Sequence, residues 1–104
     1  MTLKELAQLI ENIHIKLYQS KAVKFQKTHP KVYQIIFEDN DSILVDHVVD
    51  PRRFRIVFSD YEGKIDAYRD FFDSILGNNV DLCDTGDFLN LSLLEAIKVK
   101  EALQ

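Results

Sequence analysis

Between Lys31 and Ser59 the chain passes through three segments of alternating apolar and polar residues, joined by links of only a few residues. Residues 31–37 set Tyr33, Ile35 and Phe37 against Val32, Gln34 and Ile36; residues 43–49 return; residues 53–59 set Phe54, Ile56 and Phe58 against Arg53, Arg55 and Val57. A side-chain period of two marks strands with two unlike faces. Parallel neighbours need a crossover of a dozen residues or more, so these links force antiparallel hairpins. Asp39-Asn40-Asp41 brings turn chemistry to the first link, and Asp50-Pro51 suits the first two positions of a type I turn in the second. Val23 and Phe25, interleaved with lysines ahead of Thr28-His29-Pro30, offer one further short strand, giving a meander of three or four.

Helices flank this sheet. Thr2 with Glu5 three residues on is a capping box, and Leu3, Leu6, Ile10, Ile13 and Leu17 then recur at spacings of three and four. That pattern predicts a helix from Thr2 to about Gln19. Ser59 with Glu62 repeats the capping signal, followed by Ile65, Tyr68, Phe72 and Ile75. Gly77 with Asn78 and Asn79 stops this helix, since such residues enter the left-handed region cheaply. Ser92 with Glu95 opens a last helix through Leu103, with an earlier start near Asp87 as the alternative. The fold class is α+β: an N-terminal helix, an antiparallel meander, and two C-terminal helices packed mainly on one sheet face. No repeat or linker divides the 104 residues, so residues 1–104 read as one compact domain.

Strand partners must share a face, so pairing can be tested by arithmetic. Setting Phe37 opposite Ile43 puts Ile35 against Val45 and Tyr33 against His47. Setting Val49 opposite Phe54 puts His47 against Ile56 and Val45 against Phe58. The face built from these residues is the one the helices should cover. The other holds Val32, Gln34, Ile36, Leu44, Asp46, Val48, Arg53, Arg55 and Val57. An open antiparallel face is usually more polar than this, and an apolar patch rimmed by arginine has the composition of a protein–protein contact. Ile36, Leu44, Val48, Arg53, Arg55 and Val57 are therefore expected partner-binding residues, for another protein or a second copy of the chain.

Charge is unevenly spread. The formal net charge is −4, yet residues 1–37 hold six lysines and two acids, while residues 38–104 hold seven bases and fifteen acids. Such asymmetry acts on partner choice and association rate. The acids include eight between residues 60 and 87, of which Asp66, Asp70 and Asp73 stand at i, i+4 and i+7 of the second helix. This stripe is a second candidate contact, suited to a basic or nucleic-acid-handling protein, as an inhibitor or antitoxin would use it. Residues 16–31 carry Lys16, Lys21, Lys24, Lys27 and Lys31 with aromatics between them, a mix also used on nucleic acids. Phe25 and Tyr33 are more simply core, and the overall acidity opposes polyanion binding, so a nucleic-acid module is the alternative reading and not the leading one.

Catalysis finds little support. Asp84-Thr85-Gly86, preceded by Leu82 and Cys83, is similar to the catalytic triplet of the aspartic proteases. In that family a β-rich body follows the triplet; here eighteen residues follow, and they read as helix. Two facing carboxylates are needed to share a proton, so the triplet is read as a loop near a helix start. His14, His29 and His47 have no second ligand at i+4 or i+2, and Cys83 stands alone, so no metal or cofactor site is expected. His47 falls on the covered face and is expected as a hydrogen-bonded core histidine; a small enzyme or ligand-binding domain would need it, or Cys83, in a pocket. Three glycines supply no phosphate-cradling loop. The N-terminal stretch carries acids among its apolar residues, unlike a secretory signal. No window approaches a membrane span, and a single cysteine suits a reducing cytoplasm. The expected function is a small non-catalytic binding or regulatory protein.

Overall fold

A computed structural model describes residues 1–47, 52–58, 64–77, 81–82 (backbone only) and 88–104. Helix α1 (Leu3–Tyr18) precedes strands β1 (Ala22–His29), β2 (Val32–Phe37), β3 (Ser42–Asp46) and β4 (Arg53–Phe58). Helix α2 (Lys64–Leu76), strands β5 (Asp81–Leu82) and β6 (Phe88–Ser92) and helix α3 (Leu93–Ala102) follow. The strands form one antiparallel sheet in the order β1-β2-β3-β4-β6-β5. The meander is β1 to β4. Strand β6 then returns after α2 to lie beside β4, with Ile56 opposite Leu89 and Phe54 opposite Leu91.

Among the described residues, the capping boxes of α1 and α3 form. Thr2 and Glu5 exchange bonds at 3.1 and 3.2 Å, and Ser92 and Glu95 do so at 3.1 and 2.9 Å. Each exchange satisfies two amides that the first helical turn leaves without a partner. The Ser59–Glu62 box, the Asp50-Pro51 turn and the Asp84-Thr85-Gly86 triplet lie outside the described residues. Gly77 takes φ +69 behind α2, and its amide donates to the Asp73 carbonyl at 2.8 Å. The residues after the triplet are not all helical as expected. Phe88–Ser92 is strand, and Ser92 both ends β6 and caps α3.

All three helices contribute to one core with the inward sheet face. Leu6, Ile10 and Ile13 of α1, Tyr68 and Phe72 of α2, and Ala96 and Val99 of α3 are fully buried against Ile35, Val45, Ile56, Leu89 and Leu91. Burying a side chain of leucine or phenylalanine size contributes roughly 1.5–3 kcal/mol, so this shared layer is what holds helices and sheet together. The expected covered face is thus the covered face. Its register differs by two residues at both hairpins: Ile35 pairs with Ile43, Tyr33 with Val45, Ile43 with Phe58 and Val45 with Ile56. The first hairpin is tighter than expected. The Phe37 amide donates to the Asp41 carbonyl at 2.9 Å, the Asn40 amide donates to the Phe37 carbonyl at 3.0 Å, and Asn40 takes φ 68. A three-residue loop with a left-handed last residue replaces the five-residue link. Because the shift is even, every side chain keeps its face.

Candidate functional site

Three places on the molecule were expected to act, and the fold separates them. The first is the open sheet face. Cross-strand pairing lays Gln34, Leu44, Val57 and Phe88 in one row across β2, β3, β4 and β6. Beside it runs Lys24, Ile36 and Ser42, and on the other side Val32, Asp46, Arg55 and Asn90. Val32, Ile36, Leu44, Val57 and Phe88 are half-buried and belong neither to the core nor to the residues packed against it. Of the expected contact residues, Ile36, Leu44, Arg53, Arg55 and Val57 therefore share this face, and Val48 lies outside the described residues. Phe88 is an addition that sequence reasoning missed, because its segment read as loop or helix start.

Arg55 has a second role. Its Nε and Nη2 donate to both Asp46 carboxylate oxygens at 2.9–3.1 Å, and its guanidinium stacks 5.2 Å from the Phe88 ring centre. Asp46 is 3% exposed. A charge that deep needs a partner of opposite sign with good geometry, and the planar arginine fork provides it. Arg55 belongs to the fold as much as to any interface; Arg53, one pleat along, is exposed.

The second place is the acidic helix. Helix α2 packs on the covered side, so Asp66, Asp70 and Asp73 and the open face lie on opposite sides of the sheet. Asp66 and Asp70 are exposed and Asp73 is half-buried; Asp66 lies 3.4 Å from Arg69 on the next turn. The stripe is partly neutralised within its own helix. The basic segment forms the opposite edge strand, β1, with Lys24, Lys27 and His29 exposed and Phe25 itself 43% exposed. Phe25 pairs with Ile35 and so sits on the helix side, but α1 lies over β2 and β3.

A further place was not expected. The fully buried histidine is His14 of α1, whereas His47 lies half-buried past the end of β3, its ring 6.2 Å from that of Phe54. The His14 ring stacks on Phe37 at 3.8 Å. Its Nδ1 is 2.7 Å from the Tyr68 hydroxyl and its Nε2 is 3.1 Å from Asp39 Oδ2 and 3.7 Å from Asp41 Oδ2. An ionised carboxylate only accepts, so Nε2 carries the proton and Nδ1 accepts from Tyr68. Burial lowers the His14 pKa from its ordinary 6.5, against an opposing pull from Asp39. Burial likewise raises the Tyr68 phenol pKa and keeps it a donor. Lys64 of α2 contacts Asp41 and lies 3.7 Å from Asp39 Oδ2, with its ammonium 5.0 Å from the Tyr18 ring centre.

The turn itself aims these carboxylates. Asp39 Oδ1 accepts from the Asp41 amide at 3.0 Å, and the Asp39 amide donates to Ser20 Oγ at 3.2 Å, which leaves Oδ2 pointing at His14. His14, Asp39 and Asp41 place their ligand atoms within 4.8 Å of one another. The expectation of no metal site rested on spacing along single elements; a set that could hold an ion is assembled here from a helix and a hairpin. A signal for His14 was available: Ala7, Ile10, His14 and Leu17 continue the helical three-and-four spacing.

No protein-family model, curated protein or solved structure matches the chain. The site itself must carry the functional argument. Among the described residues, no helix is long and apolar enough to cross a membrane.

Proposed function

We propose that this chain is a non-catalytic binding protein of the inhibitor or antitoxin kind, which docks a protein partner on the open face of its sheet. The observation that carries the proposal is the row Leu44, Val57 and Phe88, flanked by Ile36 and Val32, on a face that no described helix covers. Sheet faces left to water are normally polar; a contiguous apolar centre on one is the usual mark of a contact surface.

Charge selects the partner. Lys24, Arg53 and Arg55 stand around the apolar row; of the acids at register positions on this face, Asp46 is held by Arg55 and Asp81 pairs with Asn90 at the far edge strand. A partner with an apolar centre and carboxylates at its rim complements this pattern. A second copy of the chain would set like charges against each other across a two-fold axis. The acidic helix serves the proposal less well, since Asp66 is matched by Arg69 and the helix faces away from the row.

The test is affinity capture from the native cell with the wild type, Leu44→Asp and Arg53→Glu, after circular dichroism shows all three folded. A specific protein captured by the wild type is purified and titrated against each variant. The expected result is an acidic-rimmed partner whose affinity falls at least about tenfold with each substitution. Equal affinity for all three overturns the proposal, and so does a wild-type dimer that Leu44→Asp dissociates. Retention of nucleic acid that is lost on replacing Lys24 and Lys27 favours the alternative instead.

A further inference from the structure

The cluster at His14 goes beyond a partner surface, because it lies on the opposite side of the sheet and its atoms converge on a point. We propose that His14, Asp39 and Asp41 form a binding site for one divalent first-row transition-metal ion, which takes the position now filled by the Lys64 ammonium.

Distances support the coordination. Metal–ligand bonds of about 2.1 Å at tetrahedral or octahedral angles set neighbouring ligand atoms about 3.0–3.4 Å apart. His14 Nε2 stands 3.1 Å from Asp39 Oδ2 and 3.7 Å from Asp41 Oδ2, and all three ligand atoms lie within 4.8 Å of one another, so side-chain shifts of at most about 1.4 Å close the set. One imidazole with two carboxylates selects zinc-like ions over calcium or magnesium, which take oxygen ligands.

Charge supports it too. Among the described residues, two carboxylates face a single ammonium in a largely enclosed site. Asp41 is 8% exposed, and its Oδ2 is buried, faces His14 and contacts the Lys64 ammonium. A dipositive ion in place of the ammonium supplies charge to match both carboxylates and directed bonds to that oxygen. Lys64 keeps 21% of its side chain exposed, and Asp39 keeps 30%, so the ammonium has a route to water and the ion a route in.

The surroundings already hold the imidazole as a metal ligand is held. Phe37 stacks on its face and Tyr68 bonds its far nitrogen. With metal on Nε2, the proton moves to Nδ1 and the Tyr68 hydroxyl changes from donor to acceptor over the same 2.7 Å. Binding therefore rearranges protons and one lysine while the backbone stays in place.

The test is calorimetric titration of chelator-treated protein with zinc chloride, together with the absorption spectrum of the cobalt(II)-loaded protein. Expected is one saturable equivalent, weakened at least about tenfold in Asp41→Asn and in the more exposed Asp39→Asn. Binding should strengthen in Lys64→Met, where the competing cation is gone. Cobalt should show the d–d bands of a nitrogen–oxygen site of low coordination number. No saturable binding, or binding unchanged in both asparagine variants and in Lys64→Met, overturns the proposal. Zinc lost only on replacing His29, His47 or Cys83 overturns it as well.

Discussion

The hydroxyl of Tyr68 lies 2.7 Å from Nδ1 of His14, joining α2 to α1 across 54 residues of chain, with both side chains fully buried. Tyr68→Phe keeps the ring packed on Phe58 and Phe72 but leaves a buried acceptor without its donor. The expected cost is about 1–2 kcal/mol, read as a lower urea midpoint at unchanged slope. A change below about 0.5 kcal/mol would show that the bond contributes nothing net.

Acid should weaken the fold in two separable windows. His14 has its pKa lowered by burial, so the unfolded chain takes up this proton first. Its contribution is present above pH 6.5, the unfolded value, and is lost as pH falls below it toward the folded pKa. The groups facing the ring are Tyr18 on its own helix, Phe37, Asp39 and Asp41 from the hairpin, and Lys64 and Tyr68 from α2. Glu5 acts lower: its bond to Lys100 and its place in the capping box bring its pKa from 4.5 to about 2. That stabilisation is complete above 4.5 and is lost as pH falls through about 2. Denaturation midpoints followed from neutral pH downward should drop first in the histidine window, and His14→Gln should remove that first drop only. An identical profile in the variant would assign it to other groups.

Arg55→Ala and Arg53→Ala should differ sharply. Arg55 binds the buried Asp46 through two nitrogens, so its loss should cost about 2 kcal/mol. Arg53 is exposed, and truncating it should stay within about 0.5 kcal/mol. Thermal melts of the two variants decide the point, and comparable stabilities would mean that Asp46 is adequately held by its other surroundings. For the same reason Arg53, and not Arg55, is the proper site for a charge reversal aimed at a partner.

Ser92→Ala should remove the cap of α3 where it leaves β6. The Glu95 amide loses its 3.1 Å acceptor, at an expected cost of about 1 kcal/mol. Amide exchange should speed up in the first turn of α3 ahead of the sheet; uniform acceleration throughout the protein would point to the β4–β6 pairing as the element lost.

Much of the architecture was readable because local periodicity and burial agree. In α1 the spacing of Leu3, Leu6, Ile10 and Ile13 named the buried face, and in β4 the alternation of Phe54, Ile56 and Phe58 did so. Even a register wrong by two residues left the covered face right, since facing depends only on parity. Strand β6 was harder: Leu89 and Leu91 alternate over too few residues to outweigh the helix signal at Ser92, and it is pairing with Phe54 and Ile56 that makes them strand. The candidate site divides the same way. Leu44, Val57 and Arg53 could be placed on one face by counting, but Phe88 could not.

By itself the order of residues determined three helices, a hairpin-linked sheet and the side that β2, β3 and β4 turn inward, all of which follow from repeats a few residues long. Tertiary structure alone decided that Asp39, Asp41, Lys64 and Tyr68 surround the buried His14. It also decided that the acidic helix and the arginine face look away from each other. These are relations between residues far apart in the chain, brought together by burial of a shared core, and no local period encodes them.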